Sequence, residues 1–107
     1  MISFDEFKKV EIKIGEIKSA ERIPGSDKLL KMKIDLGGAQ KTCVAGIAQH
    51  YKPEELVGKE IALVVNMEPR SLRGVTSEVM LLAAVEKEGK VVILTPEKRV
   101  KPGSEVT

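Results

Sequence analysis

The sequence predicts an all-β fold, a small barrel of five to six strands, and three observations support this. Apolar and polar residues alternate in short runs, as in Leu30–Leu36, where Lys31 and Lys33 stand between apolar neighbours. Turn residues such as Gly37 and Gly38 separate these runs. At 107 residues the chain has room for one core, so residues 1–107 are expected to form a single domain.

A short helix is expected ahead of the first strand. Ser3 and Glu6 have the spacing of a capping box, in which each side chain accepts a hydrogen bond from the other residue's backbone amide. This spacing predicts a helix over about Asp5–Lys9, with Phe4 and Phe7 presented from one end of it.

The first strand is predicted to be long and sharply curved. The apolar residues of Val10–Ile14 alternate with Glu11 and Lys13, but the next apolar residue, Ile17, comes one position late. A one-residue slip at a glycine indicates a bulge, here at Gly15-Glu16, and a bulge lets a strand bend.

The later elements follow from turn residues and apolar runs. After a turn at 23–27, strands are predicted over 30–36, 41–45, 60–66, 79–85 and 91–94. Pro53–Leu56 is predicted as one helical turn between the third and fourth strands, because proline suits the first helical position. A polar loop over Met67–Ser77 joins the fourth and fifth strands, and the turn-rich tail from Thr95 should wrap the surface.

This order of elements favours one known plan, the OB-fold. An OB-fold is a five-stranded Greek-key barrel that binds oligonucleotides with its strand faces and loops. The bent first strand and the short helix before the fourth strand both fit it. Another small barrel or a sandwich remains the alternative, and it would need similar strands without that helix.

Composition excludes several classes of protein. No apolar run approaches the roughly 18 residues that cross a bilayer, so no membrane partner is expected. The first residues mix both signs of charge, unlike a secretory signal peptide. The single cysteine cannot form an internal disulfide, which favours a reducing, cytoplasmic compartment. A net charge of +2 permits an anionic partner without requiring one.

Catalytic and metal-binding roles are also disfavoured. Cys43 and His50 are the only thiol and the only imidazole. Cys43 lies in an apolar run, where a small buried side chain is the ordinary interpretation. The pair supplies too few soft ligands for a structural zinc site, which takes four. We therefore expect no catalysis by this chain alone, no metal and no cofactor.

Five segments in order resemble one family over nearly the whole chain: Phe7–Gly15, Pro24–Leu29, Pro53–Lys59, Asn66–Ser77 and Leu94–Glu97. They are similar to the tRNA-binding domain at the C-terminus of many methionyl-tRNA synthetases, which also occurs as a free-standing dimeric protein. The resemblance implies an OB-fold, sequence-independent tRNA binding and a homodimer. It also implies an accessory role, in which the domain holds tRNA near a separate synthetase catalytic domain.

Candidate RNA-binding residues lie where an OB-fold meets its ligand. Lys13, Lys31 and Lys33 alternate outward on the first two strands, although such lysines can also form a merely solvated face. Arg70 and Arg73 stand in the loop between the fourth and fifth strands, within the family's most distinctive motif. The remaining candidates are Lys28 as a rim contact, Asn66 and Ser77 as donors to phosphate or 2′-hydroxyl oxygens, and Met80 as an apolar contact or a core residue.

The scarcity of aromatic residues indicates how RNA would be bound. Single-strand binders stack bases on aromatic rings, but Phe4, Phe7 and Tyr51 all lie off the predicted groove strands. Recognition of the backbone and shape of a folded RNA remains. Phe4 and Phe7 are assigned to a dimer interface, with packing of the N-terminus onto the barrel as the alternative.

One departure from the family motif supports a second hypothesis. Val79 occupies a position where the family usually has glycine, and this puts in doubt any contact through the backbone there. The Ser77-Glu78-Val79 order resembles a related dimeric chaperone family implicated in protein export, with the same fold. That hypothesis predicts binding of unfolded polypeptide through an exposed apolar groove.

Overall fold

Ten strands and two one-turn helices make up the computed structural model, which describes residues 1–107. The helices are α1 (Phe4–Phe7) and α2 (Pro53–Leu56). The strands are β1 (Ile12–Arg22), β2 (Leu30–Asp35), β3 (Gln40–Ala45), β4 (Glu60–Val64), β5 (Arg70–Leu72), β6 (Val75–Ser77), β7 (Met80–Leu81), β8 (Ala83–Val85), β9 (Val91–Ile93) and β10 (Glu105–Val106). Neither helix has the length or hydropathy that a membrane-spanning helix requires.

The main sheet curls into a barrel with strand order β3-β2-β1-β4-β7. β1 pairs with β4 along its first half and with β2 along its second half, which its length of 11 residues allows. The barrel closes where β3 meets the segment after β6. There the Glu78 amide donates to the Thr42 carbonyl at 2.8 Å, and Cys43 and Val79 form a parallel bridge. The predicted OB-type all-β barrel, with α2 between β3 and β4, is confirmed.

The predicted bulge at Gly15-Glu16 is wrong in position. Pairing of β1 with β4 is regular from Ile12 to Glu16, and the register shift falls between Ile17 and Ser19, opposite β2. The slip in the apolar pattern has another cause. Ile14 is buried outside the central cluster, beside the C-terminal segment, whereas Ile17 is buried inside the barrel. The strand therefore changes which of its faces is buried.

Gly15 lets the barrel pack tightly at this change of face. A Cβ atom at this position would lie 2.9 Å from Leu63 Cδ1 and 3.0 Å from Leu36 Cδ2, and it would collide with Ile34. Real Cβ atoms do not approach other heavy atoms so closely. The glycine is thus required by close packing of side chains from β2 and β4 against the β1 backbone.

The core fills the barrel interior with side chains from β1, β2, β3 and β4. Leu56 of α2 is fully buried, so this helix closes one end of the barrel. Tyr51 packs against the same cluster, and its hydroxyl accepts a hydrogen bond from the Ile93 amide at 3.1 Å. The central buried residues include Ile17, Leu30, Met32, Ile34, Cys43, Leu56, Ile61, Leu63, Val79 and Ile93.

Two other sequence predictions are corrected. The predicted loop 67–77 contains a β-hairpin, β5–β6, whose two-residue turn is Arg73-Gly74 with φ of 53° and 78°. Two positive φ values fit the tight turns that suit strand twist. The predicted strand Val79–Val85 is divided at Leu82: β7 pairs with β4, whereas β8 pairs with β9 in a separate ribbon.

Both termini are attached to the barrel. The Ser3–Glu6 capping box is present as predicted, although α1 is shorter than the predicted helix. Residues 95–107, called the strap below, cross the outside of β1 and β4 and end in β10, which pairs with β1. Buried Glu60 accepts a hydrogen bond from the Val100 amide at 2.9 Å, and Arg99 contacts Glu16 at 3.1 Å. The tail wraps the surface as predicted.

Candidate nucleic-acid interface

The outer face of β2 and β3 carries two lysines. Leu30, Met32 and Ile34 point into the core, so Lys31 and Lys33, which alternate with them, point outward. Lys33 lies opposite Thr42 on β3, and its Nζ donates to the Thr42 hydroxyl at 2.9 Å. Strand pairing thus determines where both ammonium groups project, as the alternation predicts.

The β5–β6 hairpin lies beside this face and forms a groove with it. One open concavity is lined by Lys31 and Thr42 from the sheet and by Thr76 from the hairpin. The adjoining one is lined by Arg70 and Met80. Glu78 lines both. We call these joined concavities the basic groove, defined by Lys31, Thr42, Arg70, Thr76, Glu78 and Met80.

Four cations that line this groove or lie beside its lining residues have no carboxylate partner: Lys31 and Arg70 line it, whereas Lys33 and Arg73 neighbour residues that do. The ion pairs of the chain involve Lys18, Lys41, Lys90 and Arg99. Lys31, Lys33, Arg70 and Arg73 are in none of them. Arg73 is exposed at the tip of the hairpin, where the turn projects it outward. Cations without a carboxylate partner are available to an external anion, and arginine can bind a phosphate through two parallel hydrogen bonds.

Two predicted lysines lie elsewhere. Lys13 was expected on the same face as Lys31 and Lys33, but it lies on the half of β1 that pairs with β4 and β10, opposite Leu63 and Glu105. It lines a different concavity, near the termini. Lys28 is exposed in the β1–β2 connection and does not line the basic groove.

Asn66 attaches the N-terminal segment to the barrel. Its side-chain oxygen accepts from the Glu11 amide at 2.9 Å, and its nitrogen donates to the Lys9 carbonyl at 2.7 Å. Both polar atoms of the amide are therefore engaged within the chain. The phosphate contact predicted for Asn66 could therefore use only the second N–H of its amide nitrogen.

Ser77 also has a structural function. The residue is buried, and its hydroxyl accepts from the Val44 amide and donates to the Val79 carbonyl, both at 2.9 Å. These bonds help to close the barrel. Since a hydroxyl has one proton to donate, the Ser77 hydroxyl has no proton left for an RNA oxygen. Met80, by contrast, is 39% exposed at the groove, where an apolar contact is possible.

Sequence reasoning missed Thr42 and Glu78. Glu78 Oε1 accepts a hydrogen bond from the Thr42 amide at 2.9 Å, and Oε2 lies 3.8 Å from Lys41 Nζ. The contact joins residues 36 positions apart across the barrel seam. Local periodicity carries no signal for such a pairing.

Cys43 is not placed for nucleophilic chemistry. Cys43 is fully buried, and burial raises the pKa of its thiol to about 11, only partly offset by a hydrogen bond with the Leu81 backbone. A thiol with that pKa stays protonated near neutral pH and is a poor nucleophile. His50 is exposed. No group of three or more His, Cys, Asp or Glu side chains is positioned to hold a metal ion.

The aromatic residues lie away from the basic groove, as predicted. Tyr51 packs on the core, and Phe4 and Phe7 line a second concavity with Val10 and Val106. We call this second concavity the terminal groove, since both chain ends form it. Phe4 is 72% exposed, which is unusual for a large apolar side chain without a partner.

Comparison with known proteins identifies the family. The family model described as "Putative tRNA binding domain" matches residues 12–105. The chain belongs to this tRNA-binding family. A methionine–tRNA ligase of Parabacteroides distasonis is 51% identical over 105 residues, and one of Pyrococcus furiosus is 49% identical over 105. These matches cover 98% of the chain but 16% and 14% of the ligases, so this family member corresponds to their C-terminal region only.

Solved structures of two kinds share the fold of this tRNA-binding-family chain. A MetRS-related protein from Pyrococcus horikoshii superposes with a TM-score of 0.95 at 39% identity, covering 100% of this chain and 98% of that one. The chaperone CsaA from Bacillus anthracis superposes with a TM-score of 0.91 at 33% identity, covering 100% and 99%. Both resemblances expected from the sequence are therefore found.

Proposed function

We propose that residues 1–107 act as one accessory domain that anchors tRNA to a methionyl-tRNA synthetase without choosing among tRNA sequences. The observation that carries this proposal is a set of four cations without carboxylate partners: Lys31 and Arg70 line one groove, Lys33 bonds its lining residue Thr42, and Arg73 precedes its lining residue Gly74. Membership of the tRNA-binding family and homology to ligase C-terminal regions support it.

Binding is directed at the sugar–phosphate backbone. Arg70 and Arg73 grip phosphates bidentately, whereas Lys31 and Lys33 act as point charges. Base stacking would require an aromatic platform, and the basic groove has none. Such a surface recognises the contour of a folded RNA and is indifferent to base identity.

The domain contributes affinity and no chemistry of its own. Holding tRNA raises its effective concentration at a catalytic domain connected to the same assembly. The reaction therefore requires a synthetase catalytic domain as a partner, and the anchoring step requires no cofactor. The proposal places the domain in the cytoplasm, where aminoacylation supplies translation.

A second copy of the chain is proposed to cover the terminal groove. Phe4, Phe7, Val10 and Val106 are each at least 39% exposed there, so association would remove these four apolar side chains from water. A homodimer would also join two basic grooves in one particle. Sedimentation should give a dimer, and Phe7→Glu should shift it to monomer; a monomeric unchanged protein would overturn this part of the proposal.

The similarity to CsaA favours one alternative, binding of unfolded polypeptide. Val79 lends it little support, because its side chain lies in the core and adds nothing to an exposed apolar groove. The alternative predicts capture of a reduced, unfolded protein with no response to tRNA.

Equilibrium binding to several purified tRNAs tests the proposal. The Arg70→Ala/Arg73→Ala variant should weaken every tRNA by a similar factor, because phosphate contacts are shared. The control variant Lys87→Ala/Lys98→Ala removes the same amount of positive charge outside the groove. Both lysines are exposed and form no ion pair, so this variant should lower tRNA affinity much less. Loss confined to one tRNA, or equal loss in both variants, would contradict backbone recognition in this groove.

A further inference from the structure

Two carboxylates line the basic groove beside its cations: Glu68 in one of the two concavities and Glu78 in both. Glu78 lines both of its concavities, and its side chain is 39% exposed. A negative charge there repels the phosphates that the surrounding cations attract, so it lowers affinity for any polyanion. A ligand of this groove is therefore expected to make a favourable contact with Glu78 that offsets this repulsion.

The Glu78 carboxylate is held in place by one oxygen and is open at the other. Its backbone amide donates to the Thr42 carbonyl at 2.8 Å, and Oε1 accepts from the Thr42 amide at 2.9 Å. Oε2 has only Lys41 Nζ nearby, at 3.8 Å, which is beyond hydrogen-bonding distance. Oε2 is therefore an acceptor left free on a carboxylate that lines the groove and whose other oxygen is fixed.

A carboxylate can only accept hydrogen bonds, so its ligand must present a donor. The phosphates and ring oxygens of a nucleic-acid backbone are acceptors, and the ribose 2′-hydroxyl is the backbone group that donates. DNA lacks that hydroxyl. We propose that Glu78 is a specificity-determining residue that favours RNA over DNA by accepting a hydrogen bond from a ribose 2′-hydroxyl. This inference rests on the proposed function, since it assumes that nucleic acid occupies the basic groove.

The isosteric variant Glu78→Gln separates the two oxygens. Its amide oxygen still accepts from the Thr42 amide, whereas its amino group has no charge and cannot accept. The probes are an RNA hairpin and a DNA hairpin of the same sequence and length, titrated at one low salt concentration. We expect Glu78→Gln to bind DNA more tightly than the unchanged protein does, with the RNA-to-DNA affinity ratio falling about tenfold, as for one lost charge-assisted hydrogen bond.

Glu88→Gln is the matched control, because this exposed glutamate in the β8–β9 turn lines neither concavity. It should leave the ratio unchanged. If Glu78→Gln raises affinity for RNA and DNA equally, Glu78 merely repels phosphate and the proposal is overturned. If the unchanged protein binds the RNA and DNA hairpins with nearly equal affinity, the proposal is overturned without measuring any variant. Absence of RNA binding by the unchanged protein would instead overturn the proposed function itself.

Discussion

Alkaline pH should destabilise the barrel through the buried thiol of Cys43. The pKa of this thiol is raised from 9.0 to about 11 in the folded chain. Between these values the unfolded chain releases the proton and the folded chain retains it. The Cys43 contribution to stability is therefore fully present below pH 9 and is lost as the pH rises to 11. Two pKa units correspond to about 2–3 kcal/mol.

Urea unfolding at intervals from pH 8 to 11 measures this loss, with Cys43→Ala as the matched variant. Every other ionisable group is common to both proteins, so its effect cancels in the difference between the two free energies of unfolding. The alanine variant is destabilised by a constant amount at all pH values, because it leaves a small cavity. We expect the advantage of the unchanged protein to shrink by about 2–3 kcal/mol between pH 9 and 11.

A difference between the two proteins that stays constant from pH 8 to 11 would refute this reasoning. It would mean that the thiol ionises equally in folded and unfolded chains, and hence that Cys43 is not sealed in the core. Thiol-reactive reagents provide a second check. At pH 8 the folded chain should react far more slowly than the chain in denaturant.

Three further predictions concern stability and are checked by thermal or urea unfolding. Gly15→Ala should cost about 1–3 kcal/mol, because the new Cβ meets Leu63 and its neighbours; an unchanged melting temperature would show that this packing is looser than described. Leu56→Ala should cost about 2–5 kcal/mol by opening a cavity at the end of the barrel. Glu60→Ala leaves the amide of Val100 without its acceptor and should cost about 1–3 kcal/mol. Backbone amides of the strap should then exchange with solvent faster than in the unchanged protein. Equal hydrogen-exchange protection in both proteins would rule out this attachment.

Local signals predict much of the fold. The β2–β3 hairpin follows from strict alternation and a Gly-Gly turn, α2 from a proline at its first position, and the start of α1 from the Ser3–Glu6 capping box. Each of these elements depends on residues close in sequence, so it can be predicted without knowing which distant strands pair.

Features that depend on distant pairing could not be predicted. The face occupied by Lys13 depends on β1 pairing with β4 and β10 along its first half, and the division of the fifth strand depends on β7 and β8 having different partners. Ser77 has the residue type of an RNA contact, but its hydroxyl is consumed by the barrel seam. The Arg73-Gly74 turn was obscured because both strands of its hairpin are short and largely polar.

The salt dependence of tRNA binding tests the central claim most directly. If Lys31, Lys33, Arg70 and Arg73 each neutralise one phosphate, affinity should fall about 50- to 150-fold between 50 and 200 mM salt, because each contact contributes roughly 0.7–0.9 to the slope of log affinity against log salt concentration. The Arg70→Ala/Arg73→Ala variant should halve the logarithmic slope, so that the same change in salt costs only about 7- to 12-fold. A flat salt dependence, or an equal slope in both proteins, would contradict binding of the RNA backbone by these cations.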